Sequence, residues 1–314
     1  FAPPTLETVV VPSRHADKGA LHVALAQLAE QDPLINLRQD DTRQELFLSL
    51  YGEVQKEVIQ ATLATDFGIE VHFRESSTIC IERAAGTGEA VEIMHHPGNP
   101  FLATVGLRIE PAPINSGVDF RLSSEVLGKM PLAFFKAVED TVHETLREGI
   151  HGWQVTDCLV TMTHAGYLGK HGLGHQYFNK SMSSTGADFR GLTPLVLMTA
   201  LERAGTRVYE PMHRFRLEIP ADTFGAMAPL LAGLRAVPRT QELHGPVYAL
   251  EGHVPAERVH ELHQQLPALT RGEGVLESAF DCYEPAVGEV PSRARSDHNP
   301  LNRKEYLLHV LRRV

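Results

Sequence analysis

The feature that most constrains the fold is the order in which two hydrophobic periodicities alternate over residues 5–75. Apolar residues recur at every second position in a strand and about every 3.6 positions in a helix. Leu6–Val11 is rich in β-branched residues and predicts a strand that stops at Pro12, whereas Ala20–Glu30 carries its apolar residues at helical spacing. The next predicted elements are two strands, a helix and a final strand, at 34–39, 45–51, 54–68 and 69–73.

The same order of strand, helix, strand, strand, helix and strand returns over residues 206–285, without a clear repeat of the sequence itself. This order is typical of a ferredoxin-like βαββαβ domain. The predicted strands there are 212–219, 236–243, 246–253 and 274–284, and the helices are 221–234 and 255–265. We therefore predict two ferredoxin-like domains, at residues 1–76 and 206–287.

The region between them, residues 77–205, reads as a less regular α+β domain. Its predicted strands are 78–83, 89–95, 101–110 and 154–163, and its helices are 133–147 and 194–204. Residues 288–314 are predicted to form a basic tail that ends in a helix over 300–313. The fold class predicted from these elements is α+β.

Composition argues against several classes of function. A formal net charge of −10 argues against a free-standing nucleic-acid binder, because such a protein usually presents a basic surface. No apolar run is long enough to suggest a membrane span, and no signal peptide precedes the first strand. The three cysteines lie far apart, which favours reduced core residues in a cytoplasmic protein over a disulfide framework. Since Phe1 is not a natural start, we expect the chain to be a fragment of a longer protein.

Several motifs carry a family resemblance. Gly52–Val58, Phe67–Val71 and Phe73–Ser76 resemble the third domain of elongation factor G and its relatives. The ordered set 210–211, 252–255, 269–274 and 280–285 is similar to the fifth domain of the same factors.

Two further motifs, Gly152–Cys158 and Thr185–Arg190, resemble the fourth domain of the ribosomal-protection proteins that confer tetracycline resistance. The translocase of the family typically has an Asp-Ser-Ser element where this chain has Ser183, Ser184 and Thr185. The resemblance implies a ribosomal-protein-S5-like middle domain between the two ferredoxin-like domains. It also implies a monomer whose partners are the decoding region of the small-subunit rRNA and ribosomal proteins.

By this resemblance, the chain is the ribosome-binding portion of a GTPase that displaces tetracycline from the small ribosomal subunit. The phosphate-binding sequence G-x-x-x-x-G-K-[ST] is absent, so GTP and magnesium are expected in a domain that this chain lacks. No cofactor and no enzymatic activity are therefore expected of these 314 residues.

The segment 164–186 is the leading candidate for the rRNA and drug-site loop. It lacks apolar periodicity, and long irregular segments within a domain are often functional. Its cations suit phosphate contacts and its aromatic rings suit stacking on unpaired bases; the tip that meets the drug is expected at Ser181–Ser183. The candidate residues are Tyr167, Lys170, His171, Tyr177, Phe178, Asn179, Lys180, Ser181, Met182, Ser183 and Ser184.

Two other loops are expected at the same end of the middle domain. Their candidate residues are Ile114, Asn115, Ser116, Gly117, Gly128 and Lys129. In the tail, Arg303, Lys304, Arg312 and Arg313 either contact rRNA phosphates or extend from a helix that packs on the protein. Both interpretations remain open, and they are compatible.

No metal site and no catalytic nucleophile are predicted. The histidine pairs His95/His96, His171/His175 and His260/His263 lack the spacing of a known zinc motif. Two alternatives to drug displacement stay open, an elongation factor G-type translocase and an unrelated metal- or small-molecule-binding α+β enzyme.

Overall fold

The computed structural model describes residues 3–32, 35–40, 45–169 and 183–311. The chain divides into two compact units. The first contains Phe1–Cys80 and Glu210–Ala286, and the second contains Ile81–Tyr209 and Val287–Val314. None of the helices in these described ranges is long and apolar enough to cross a membrane.

Unit 1 begins with one ferredoxin-like fold. Its elements are β1 (Leu6–Pro12), α1 (Lys18–Gln31), β2 (Asn36–Asp40), β3 (Glu45–Leu50), α2 (Val54–Asp66) and β4 (Val71–Phe73). The antiparallel sheet has the strand order β2-β3-β1-β4, and the short β5 (Ser77–Thr78) also pairs with β1. Leu21 and Leu25 of α1 and Leu63 of α2 are fully buried against the sheet residues Leu48 and Leu50.

A second fold of the same topology occupies the rest of unit 1. Its elements are the part of β12 (Thr206–Pro220) that lies in this unit, α5 (Phe224–Gly233), β13 (Val237–His244), β14 (Val247–Pro255), α6 (Val259–Thr270) and β15 (Val275–Pro285). β12 pairs with both β14 and β15, and β13 pairs with β14. Phe215 and Leu250 from the sheet and Leu262 from α6 are completely buried in its core.

Unit 2 is built on a four-stranded sheet. Its elements are β6 (Ile81–Ala84), β7 (Gly88–Glu92), β8 (Ala103–Pro111), β9 (Val118–Leu122), α3 (Leu132–Thr145), β10 (Gln154–Val155), β11 (Cys158–Tyr167), α4 (Gly186–Ala204) and α7 (Arg303–Leu311). The strand order is β7-β8-β11-β9, with β9 parallel to β11 and the other pairs antiparallel. The short strands β10 and β6 and residues 206–209 of β12 form a separate ladder.

The core of unit 2 lies between this sheet and the helices α3 and α4. Leu107 and Val160 from the strands, Val138 from α3 and Leu192 from α4 are all fully buried in one cluster. α7 completes the cluster: Tyr306 is 7% exposed, and its hydroxyl donates a hydrogen bond to the Gly191 carbonyl at 3.0 Å.

The predicted α+β class, with its two ferredoxin-like domains, is confirmed. Three details of the middle region were wrong. β9 was not predicted, β11 continues through Tyr167, and α4 begins at Gly186 rather than at Pro194.

The early start of α4 has a local cause. The Asp188 carboxylate accepts hydrogen bonds from the Thr185 amide at 2.8 Å and the Thr185 hydroxyl at 2.7 Å. This is a capping box, which stabilises a helix start by satisfying donors that have no partner within the helix. Pro194 is therefore an interior residue of α4, and its position misled the prediction.

Candidate functional site at one end of the sheet

The strand register decides which loops of unit 2 share an end of the four-stranded sheet. Tyr167, the last residue of β11, is paired with Ala103, the first residue of β8. The connection before β8 and the chain after β11 therefore leave the same end, which we name the loop end (residues 93–102, 123–131, 168–169 and 183–185). The segment 123–131 also belongs to the loop end. It leads into α3, where the ring centroid of Phe134 lies 5.8 Å from that of Tyr167.

The opposite end, where Cys158 pairs with both Pro111 and Val118, is named the anchor end (residues 81–84, 112–117 and 149–157). The predicted loop Ile114–Gly117 lies here. The expectation that it shares an end with the segment after Tyr167 was therefore wrong. The error arises because β9 runs parallel to β11, so the turn before β9 meets the start of β11.

Hydrogen bonds fix the turn 112–117 to the anchor end. Asp157 accepts the Gly117 amide on its carboxylate at 3.2 Å and the Ala112 amide on its carbonyl at 2.8 Å. Its carboxylate also binds the Arg83 guanidinium at 2.7 Å, and Asp157 is only 3% exposed. Ile114, Asn115 and Ser116 thus form the exposed side of a turn whose base is buried.

The base of the segment between β11 and α4 is also held by hydrogen bonds. The Leu168 amide donates to the Ser184 hydroxyl at 2.7 Å, and the Ser184 amide donates to the Leu168 carbonyl at 3.0 Å. The Ser184 hydroxyl in turn donates to the Leu102 carbonyl. Ser184 therefore joins both ends of this segment to the chain that enters β8.

Most of the candidate loop residues lie between these two attachment points, outside the described residues. They are Lys170, His171, Tyr177, Phe178, Asn179, Lys180, Ser181 and Met182. Ser183 and Ser184 lie at the described edge of the segment, next to the capping box of α4.

Tyr167 is the one candidate aromatic residue that the described ranges include, and it lies partly on the surface. Its side chain is 38% exposed. Its ring packs against the ring of Phe134. The Phe134 ring in turn stacks on the buried Phe189 of α4, with the two ring centroids 4.7 Å apart. A ring supported on one side and open on the other suits stacking on a planar partner.

The connection between β7 and β8 is a part of the loop end that sequence reasoning missed. The Asn99 side chain holds it by donating to the carbonyls of Ile93 and Ala103, each at 3.1 Å. His95 and His96, considered above only as metal ligands, are exposed in this connection. The Pro97-Gly98-Asn99-Pro100 run is a sequence signal for a turn. The end of the sheet at which this turn lies depends on the strand order.

The remaining candidate cations differ in their surroundings. Arg303 is bound within the protein, because its guanidinium contacts Glu92 at 2.9 Å and donates to the Gly98 carbonyl at 2.6 Å. Lys129, beside Gly128 with its φ of 71°, and Lys304 are both exposed. Arg312 and Arg313 lie outside the described residues.

Three family models match the chain in order along its length. The model of elongation factor G domain III matches residues 1–75, that of domain IV matches 69–205, and that of the C-terminus matches 207–294. The chain therefore belongs to the elongation factor G-like family of translation factors, as the sequence motifs indicated.

Within that family, the chain corresponds to the C-terminal part of the tetracycline resistance proteins. It is 47% identical over 320 residues to the oxytetracycline resistance protein of Streptomyces rimosus, covering 100% of this chain and 46% of that protein. It is 47% identical over 280 residues to the tetracycline resistance protein TetM of Streptomyces lividans, covering 88% of this chain and 42% of that protein. The chain spans about half the length of the curated relatives it matches.

A crystal structure of a protein from Thermus thermophilus shares the fold. It superposes with a TM-score of 0.63 at 22% identity, over 100% of this chain and 44% of that chain.

Proposed function

We propose that this chain is the ribosome-binding part of a GTP-dependent factor that displaces tetracycline from the small ribosomal subunit. The observation that carries the proposal is the 47% identity, over the whole chain, to an oxytetracycline resistance protein. The loop end of unit 2 supports it, because Leu168 and Ser184 are hydrogen-bonded to each other there and the sequence between them is rich in cations and aromatic residues.

We further propose that the chain contains three functional domains and a tail. Residues 1–76 and 206–287 are the ferredoxin-like domains, 77–205 is the S5-like domain, and 288–314 is the basic tail. The ranges of the three family matches support this division. The tail also packs on unit 2, because Tyr306 of α7 is part of its core cluster.

The proposed mechanism is competition for one binding site. Residues 168–184 enter the decoding region of the small subunit, where cations contact phosphates and aromatic rings stack on bases. The segment and the drug exclude each other, so the free energy of factor binding is coupled to drug release. Ser184 and Asp188 position the segment by holding its base to β8 and α4.

The energy source lies outside this chain in this proposal. A GTPase domain that binds GTP and magnesium delivers the factor to the ribosome, and GTP hydrolysis resets it. We propose that the factor acts as a monomer in the cytoplasm and that its partners include ribosomal proteins as well as the decoding-region rRNA.

The proposal is tested by release of labelled tetracycline from purified ribosomes, using the longer protein with its GTPase domain and GTP. In one variant, a short Gly-Ser linker replaces residues 170–182, so that Leu168 and Ser184 remain. The matched control is Ile114→Ser, at an exposed position of the anchor-end turn. We expect the linker variant to lose release while it retains ribosome-stimulated GTP hydrolysis, and the control to retain both.

Two outcomes would contradict the proposal. If the unaltered protein releases no drug while ribosome-stimulated GTP hydrolysis is intact, a translocase-like role becomes the better account. If the linker variant releases drug as well as the unaltered protein does, displacement does not depend on this segment.

A further inference from the structure

We propose that His253, Cys282 and Glu284 form a binding site for a zinc-type divalent metal ion. His253 lies on β14, and Cys282 and Glu284 lie two residues apart on β15. This site is in the second ferredoxin-like fold of unit 1, and the proposed function does not use it.

The donor atoms already lie together. One atom from each of the three side chains lies within 4.8 Å of the other two. Metal–ligand distances of about 2.0–2.3 Å in a tetrahedral zinc site imply donor atoms roughly 3.3–3.8 Å apart. Side-chain rotations that move each donor atom by about an ångström would therefore bring the three donors around one ion.

The surroundings of His253 point to a cation. Its Nε2 lies 3.0 Å from an Asp281 carboxylate oxygen, which is within hydrogen-bond distance. The other nitrogen, Nδ1, is buried without a hydrogen-bond partner and lies 3.5 Å from a Glu284 carboxylate oxygen. The buried Nδ1 and the Glu284 carboxylate therefore face each other, and both are atoms that bind zinc in proteins.

This arrangement matches the outer shell of known metal sites. A metal-binding histidine usually donates its second ring N–H to a carboxylate or carbonyl, which orients the ring. Asp281 occupies that position relative to His253. Asp281 is therefore a positioning residue in the proposed site, and it also adds negative charge beside the ion.

The donor set decides which metal the site would prefer. A thiolate, an imidazole and a carboxylate together suit zinc or cobalt, whereas magnesium and calcium prefer oxygen ligands alone. With three protein ligands, the fourth position of a tetrahedral ion would be open to water. Because β12 lies between β14 and β15, the bound ion would link two strands that are not neighbours in the sheet.

A neighbouring cation opposes metal binding. The Arg239 guanidinium lies 3.5 Å from Glu284 and competes for its carboxylate. The Arg239 side chain is 63% exposed, so it can move into solvent when an ion binds. This competition provides a discriminating variant, since Arg239→Gln should tighten metal binding without removing a ligand.

The test is a cobalt titration of the reduced 314-residue chain, because cobalt(II) replaces zinc and its thiolate complexes absorb in the near ultraviolet. We expect a charge-transfer band that saturates at one equivalent, disappears in Cys282→Ser and persists in Cys158→Ser. Glu284→Gln should weaken binding by at least about tenfold, as loss of a metal-site partner does, and Arg239→Gln should strengthen it. Circular dichroism of each variant checks that it is folded.

The absence of a thiolate–cobalt band in the unaltered chain, or its survival in folded Cys282→Ser, would overturn the proposal. If Cys282→Ser does not fold, Glu284→Gln decides, and unchanged affinity in that variant would overturn the proposal. A second readout is thermal unfolding with zinc, which should raise the melting temperature of the unaltered chain more than that of Glu284→Gln. An equal rise in both would assign the ion to other residues.

Discussion

The two ends of the sheet in unit 2 are held by different kinds of interaction. At the anchor end, the fully buried carboxylate of Glu82 accepts hydrogen bonds from the amides of Ile150, His151 and Trp153, at 2.8–3.1 Å. The Thr206 hydroxyl donates to the same carboxylate at 2.7 Å. At the loop end, the described contacts join backbone groups to Ser184, Asn99 and Asp188, which are only partly buried.

This difference indicates that the anchor end contributes more to the stability of unit 2 than the loop end does. A buried carboxylate with a full set of donors is strongly tied to one arrangement, because each lost partner leaves a buried polar group unsatisfied. Hydrogen bonds near solvent are replaced by water at a lower free-energy cost. Substitutions at the anchor end should therefore destabilise unit 2 strongly, whereas substitutions on the surface of the loop end should cause little loss of stability. Trp153, the single tryptophan, lies at the anchor end and can report unfolding of unit 2 by fluorescence.

The largest effect on stability is expected for Glu82→Ala. The substitution leaves the buried Trp153 amide, the partly buried Ile150 and His151 amides and the Thr206 hydroxyl without their acceptor, and we expect a loss of roughly 4 kcal/mol in the free energy of unfolding. Urea denaturation followed by Trp153 fluorescence measures this loss. Glu89→Ala, at an exposed position on β7 of the same unit, is the control. A loss no greater than that of the control would remove the basis of the comparison.

Asp157→Ala should have the next largest effect. It leaves the partly buried Arg83 guanidinium without its carboxylate and releases the Gly117 amide, so we expect a loss of about 3 kcal/mol. The double substitution of Arg83 and Asp157 by alanine should lose less than the sum of the two single losses, since it leaves no unpaired charge. Additive losses would mean that the ion pair does not stabilise the anchor end as a pair.

At the loop end, Asp188→Ala should have a smaller effect on stability than the two anchor-end substitutions. It removes the capping box of α4 and the acceptor for the Leu102 amide at 3.1 Å, and a loss of about 1–2 kcal/mol is expected. Unlike the anchor-end variants, it should also slow tetracycline release by the longer protein, because the base of the proposed drug-site segment loosens. Glu125→Ala, an exposed residue of the loop end, provides the matched control for both measurements.

The smallest stability change is expected for Ser184→Ala, at about 1 kcal/mol for the hydrogen bond lost by the Leu168 amide. Its effect on drug release should nevertheless exceed that of the neutral control Ser124→Ala. If release is unaffected, the attachment at Ser184 is not needed to position the segment, and the loop end is less constrained than its hydrogen bonds indicate.

The local parts of this fold were predictable, and the parts that depend on distant pairing were not. Periodicity predicted both ferredoxin-like domains, because their helices and central strands bury one face. β9 was missed since it is a five-residue edge strand. The first two turns of α4 were missed because Pro194 resembles a helix start, whereas the capping box lies earlier.

Placement of the candidate loops failed for a related reason. The turn 112–117 and the connection 93–102 look alike in sequence, as short runs of Pro, Gly and Asn. Their ends of the sheet are fixed by the register of β8 and β9 against β11, to which no local pattern points. The roles of the residues between Gly169 and Ser183 remain a prediction from the sequence.

The packing of α7 has a consequence for how the chain is made. Tyr306 closes the core of unit 2 over α4, but the ribosome synthesises residues 205–302 between these two helices. At translation rates of roughly 5–20 residues per second, the nascent unit waits on the order of 5–20 s for its last helix. During that interval the apolar surface under Tyr306 is uncovered, so α4 is where a chaperone would be expected to bind the growing chain.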